Sequence, residues 1–284
     1  MSSSDHPNST EGMTKITVTQ LLPMVYQDAL QPGVKQLGIA LESVLSLVPT
    51  LMLPFKYVSE AAKLRLSMRL DKLRESLQAK AAEDVFAIAP EIGVPVIEKL
   101  LHVQDESLAS LYLRLLEQAS DKDGLAFTHP SFPNLIGNLS PDEAAILQIF
   151  FDPDEYNTWP ALYFGLENNR KSSIHLRGPL TGWELLVKLK QPDSIPAYVE
   201  NMLRCGIFAF NHDTMFSKEN TRGDHVERLG IRLKELYSPE FGSPMQKGVD
   251  IQASFFGLIV TEYGRMFIRA CVVPQPELLT GVTL

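Results

Sequence analysis

Leu66, Leu70, Leu73 and Leu77 recur at intervals of three and four residues, the spacing that lines side chains along one face of a helix. A helix is therefore expected over about residues 60–84, capped by Ser59, with Leu64 and Met68 widening the seam. Lys63, Arg65, Arg69, Lys72, Arg74 and Lys80 decorate it, and between Ala61 and Ala82 only Asp71 and Glu75 oppose them. A seam of this kind needs covering, and the same periodicity recurs on both sides of it.

Upstream, Pro32-Gly33 opens a helix expected to reach about Val48, with Leu37, Leu41, Val44, Leu45 and Val48 as its stripe and Pro49 as its end. Downstream, a short helix is expected after Pro95. Asp105 can cap another, with Leu108, Leu111, Tyr112, Leu115 and Leu116 on its buried side and Gly124 offering a left-handed exit. Residues 151–180 read as loop-rich, carrying Pro153, Pro160, Gly165, Gly178 and Pro179. Thr181 is expected to cap a helix through Lys190, and Ser194 to open one through Cys205 that Gly206 ends. "IFAF" reads as a strand. Val249, Ile251, Ala253 and Phe255 alternate as a second, Gly257 breaks it, "LIV" makes another, and Thr261 caps a last helix. The expected fold is mainly α, an N-terminal helical bundle followed by a small α+β module of winged-helix type. Residues 1–19 read as a disordered tail, 20–137 as the helical domain with an amphipathic apolar segment at 33–58, and 138–284 as the winged-helix-like domain.

With 45% apolar residues the chain can bury a core, and its formal charge of −8 disfavours a protein that lives on phosphate contacts. Its two cysteines, Cys205 and Cys271, form no C-x-x-C pair and read as small buried apolar groups. The beginning of the chain lacks the basic-then-apolar layout of a signal peptide, so a cytoplasmic setting is expected.

The stretch "HPSFPNLIGNLSPDE" at 129–143 gathers a histidine, serines and acids. Backbone physics accounts for most of it. Ser140, Pro141, Asp142 and Glu143 spell an N-cap, a first-turn proline and two acids at the positive end of a helix dipole, with Glu143 placed for a capping box. His129-Pro130 ends one segment, and Phe132 fills a core.

Three stretches, "QPGVKQLGIALESVLSLVPTLMLPFKYV", "LYLRLLEQASDKDGLAFTHPSFPNLIGNLSPDEAAIL" and "GLIVTEYGRMFIRACV", together resemble the abortive infection alpha family of bacterial proteins, over roughly residues 30–273. "HPSF" and "LSPDEA" are the most specific signatures. The resemblance implies a helical protein linked to antiphage defence. It brings no catalytic residues.

Motifs for chemistry are absent from the sequence. No histidine pair has the i, i+4 spacing of a helical zinc site, and "DKDG" lacks the rest of a calcium loop. Neither phosphate-binding glycine motif nor nucleophile elbow occurs. No enzyme, metal or cofactor is expected. Three modes of action remain open. The first is a non-enzymatic antiphage effector or sensor working through protein contacts, as a homo-oligomer or with a partner protein. The second is a conditional membrane-disrupting element. Residues 37–58 hold twelve Leu, Ile, Val, Met or Phe against the two charges of Glu42 and Lys56. Twelve such residues contribute about −5 kcal/mol to insertion, and one central acid returns roughly +2.5 to +3.5 kcal/mol. Pro49 leaves the helix shorter than the ~20 residues a span needs. A core helix is the competing reading. The third mode is a winged-helix regulator, but its recognition helix would carry only Glu200 and Arg204, and Arg222, Arg228, Arg232, Lys234, Arg265 and Arg269 are interleaved with acids. Nucleic acid is thus disfavoured. The expected membrane or partner contacts are Leu41, Val44, Leu45, Val48, Leu51, Leu53, Phe55, Lys63, Arg65, Arg69 and Lys72, with an anionic inner-membrane surface as the lipid partner.

Overall fold

The leucine seam forms one side of helix α1 (Glu60–Gln78), where Leu66, Leu70, Leu73 and Leu77 are all buried. In this computed structural model the described residues are 36–41, 60–151, 158–168, 173–211, 231, 232, 235 and 249–273. The expected tail at 1–19 and most of the 33–58 segment lie outside them. Two units are resolved by contact, residues 1–104 with 115–133 and residues 105–114 with 134–284.

In the first unit, α1 packs on α2 (Pro90–His102), and Leu37, Ala40 and Leu41 of a helical stretch at 36–41 are buried. Leu64 and Met68 do not widen the seam as expected. They are 63% and 58% exposed, because each stands two residues from a seam leucine and 100° per residue carries it to the far side. Helix α2 starts at Pro90 instead of after Pro95, which lies within it. Pro90 already takes the first-turn position where a missing N–H is harmless. An extended stretch ties in through Val85 bridged to Asp121, Phe86 N–H donating to Ser120 O at 2.7 Å and Ile88 N–H to Ala40 O at 2.9 Å. Lys80 Nζ meets Asp121 Oδ1 at 2.7 Å. Gly124 does not make a left-handed exit; its φ is −74°. It is glycine for space, since a Cβ there would stand 2.5 Å from Gln118 Oε1 and 2.7 Å from the Gln118 carbonyl oxygen.

Helix α3 (Glu106–Ala119) begins as expected, with Asp105 Oδ1 accepting the Ser107 and Leu108 amides at 2.9 and 3.4 Å. Its residues through Arg114 fall in the second unit and the rest in the first. Then come α4 (Phe132–Gly137) and α5 (Pro141–Leu147), followed by strands β1 (Thr158–Asn168) and β2 (Ser173–Leu180), helix α6 (Ile195–Arg204), strands β3 (Phe208–Asn211) and β4 (Val249–Val260), and helix α7 (Glu262–Cys271). The fold is mainly helical with one small antiparallel sheet, of strand order β2-β1-β4-β3.

The sheet is larger than expected. The loop-rich reading of 151–180 gives way to the β1–β2 pair. Pro160 stands beyond the last pair, Leu162 with Leu180, so that side of β1 needs no amide there. Gly178 takes φ +140° where a Cβ would meet Tyr163 Cδ1 at 2.8 Å. Gly257 does not break β4, because β1 and β3 pair with it from both sides, through Pro160 and Asn211. The helix expected from Thr181 is also replaced. Gly182 turns left-handed at φ +74° and only a short 3-10 turn, Trp183–Leu185, follows. Phe150 is the hub of this unit's core, 5.7 Å from Trp159, 5.9 Å from Trp183 and 4.9 Å from Phe208 between ring centroids.

The ends of α6 and α7 follow sequence chemistry. Gly206 at φ +74° lets its amide reach Leu203 O and the Ile207 amide reach Met202 O, each at 3.0 Å, a Schellman closure. Thr261 Oγ1 accepts the Gly264 amide at 2.8 Å and donates to Gly206 O at 2.5 Å, tying the start of α7 to the end of α6.

Candidate functional site

Ser140 and Glu143 make the expected capping box. The Glu143 amide donates to Ser140 Oγ at 3.2 Å, and the Ser140 amide donates to Glu143 Oε2 at 2.6 Å. Asp142 does something that local physics does not supply. It is buried, and its carboxylate reaches across the second unit to accept the Lys190 amide at 2.9 Å, the Gln191 amide at 2.8 Å and the Tyr198 hydroxyl at 2.8 Å. Lys190 Nζ in turn meets Asp105 Oδ2 at 2.8 Å. One carboxylate thus fastens the 181–194 connection and α6 to the first turn of α5.

Electrostatics follow from this geometry. Burial pushes the Asp142 carboxyl up, but the two amides, the Tyr198 hydroxyl and the Lys190 charge outweigh it and hold its pKa below the ordinary 3.8. Asp105 is likewise held low against its burial, by the Lys190 ammonium and the two capped amides. The hydrogen bond to Asp105 and the charge behind it raise Lys190. Tyr198 is pushed up to about 12, by burial first and then by its bond to the Asp142 carboxylate.

The second acid is occupied too. Glu143 Oε1 accepts Asn201 Nδ2 at 2.7 Å, and the same amide group donates to Asn138 O at 2.9 Å. Asn201 Oδ1 accepts Arg204 Nη2 at 2.6 Å and faces Cys205 Sγ at 3.8 Å. Cys205 is only half-buried, unlike the buried group expected; Cys271 is fully buried. His129 and Ser131 are placed in the first unit and the acids in the second. His129 Nδ1 accepts the Ser131 amide at 3.2 Å and lies 2.7 Å from Ser131 Oγ, on a turn that leads into the buried Phe132. These contacts shape a turn.

Sequence reasoning found Ser140, Asp142 and Glu143 but missed Tyr198, Lys190 and Asn201 as their partners. The apolar spacing of Tyr198, Val199 and Met202 locates α6, and nothing local says which of its polar groups faces α5.

The expected contact residues separate. Leu41 and Arg69 are buried at 1% and 2% exposure. Arg69 does not offer its charge to a partner surface; Nη1 donates to Leu100 O at 2.7 Å and Val103 O at 2.9 Å, capping the end of α2. Arg65 is half-buried and Lys72 exposed. Val44, Leu45, Val48, Leu51, Leu53, Phe55 and the side chain of Lys63 lie outside the described residues. So do Arg222, Arg228 and Lys234 of the basic set; Arg265 pairs with Glu262 at 2.9 Å. Among the described residues no group of three His, Cys, Asp or Glu side chains could hold a metal ion, and no helix is long and apolar enough to cross a membrane.

No curated protein and no solved structure matches the chain. The family model described as abortive infection alpha matches residues 65–271, a span that holds the capping box, the Asp142 clamp and the Thr261 cap. The chain belongs to the abortive infection alpha family, and that membership implies abortive infection, a defence role.

Proposed function

We propose that the protein serves abortive infection as a non-enzymatic effector or sensor, working by contact of its surfaces with other surfaces. The observation that carries this reading is the engagement of Asp142 and Glu143. In the stretch with the most catalytic look, the two acids that could act as acid or base are buried and bonded to amides, a phenol and a carboxamide. A carboxylate filled by three donors, with its proton affinity lowered, is a poor general base. His129 and Ser131 lean on each other on an exposed turn.

The test is phage challenge of cells expressing wild type, His129→Ala, Ser131→Ala or Glu143→Gln. Each variant protein is first checked for folding by circular dichroism. Protection is expected to persist in all three. Its loss in a variant that folds normally would replace this reading with an enzymatic one.

A further inference from the structure

No further inference is drawn: the strongest candidate, the set of buried side-chain atoms Gln148 Oε1, Thr181 Oγ1 and Trp183 Nε1 in the core of the second unit, which have no hydrogen-bond partner among the described residues, carries nothing because no distance or cavity in the structure brings the three atoms around one space that a ligand could fill.

Discussion

Tyr198 donates its hydroxyl to Asp142 Oδ2 at 2.8 Å across 56 residues of sequence, and that bond joins α6 to the same carboxylate that holds the Lys190 and Gln191 amides. The hub is the carboxylate and the phenol is one spoke. Replacing Asp142 by Ala strands two amides and a hydroxyl in a buried place and is expected to cost about 2–4 kcal/mol of unfolding free energy. Tyr198→Phe removes one donor from a group that keeps two others, and about 1 kcal/mol is expected. Urea unfolding of the two variants measures both, and equal losses would show that the amides do not depend on Asp142.

The same carboxylate sets a pH dependence. Asp142 and Asp105 are held below their ordinary 3.8 in the folded protein. A carboxyl whose folded pKa is depressed adds stability above its unfolded pKa and loses it as pH falls through the folded value. Stability should therefore decline as pH drops below about 4, and Asp142→Asn should flatten that decline. At the other end Tyr198 is raised to about 12 from 10.0. Its contribution is complete below pH 10 and fades between there and about 12, a loss that Tyr198→Phe should remove. Unfolding midpoints across pH check both limbs.

Much of this fold could be read locally. Ser140 and Glu143 needed only three intervening positions to declare a capping box, and Gly206 and Thr261 announced their helix ends in the same way. The Leu66–Leu77 seam was legible because its period is that of the helix. Leu64 and Met68 were misread because hydrophobicity was counted without phase. The β1–β2 pair was hidden for a different reason. Pro160, Gly165 and Gly178 are turn formers in isolation, yet each stands where the sheet tolerates or needs it, a fact set by the register with Leu180 and Gly257 and not by neighbours in sequence. Asp142 was half legible: its place at the helix start follows from the dipole, while its three donors arrive from residues 48, 49 and 56 positions away.

Gly264 is held to glycine by contact. A Cβ there would run into the Ile207 carbonyl, the group that also accepts the Thr261 amide at 3.0 Å. Gly264→Ala must push α7 away from the end of α6 and is expected to cost about 1–3 kcal/mol. Gly206→Ala should cost about 1–2 kcal/mol for a different cause, its left-handed φ of +74°, because the nearest atom to an added Cβ is Tyr263 Cδ1 at an ordinary 3.7 Å. Serine at the two positions separates the causes, since extra bulk should worsen the first and leave the second nearly unchanged. Thermal melts of the four variants would show it.

Arg69 tests whether the cations of α1 act together. If its charge served a surface, Arg69→Met would leave stability alone and weaken any anionic binding. Its guanidinium instead donates to Leu100 O and Val103 O inside the first unit. Methionine keeps the length and apolar stem but gives those carbonyls no donor, so a loss of about 1.5–3 kcal/mol is expected in urea unfolding. A loss of that size would mark Arg69 as a structural charge that closes the end of α2, and unchanged unfolding would return its charge to the surface.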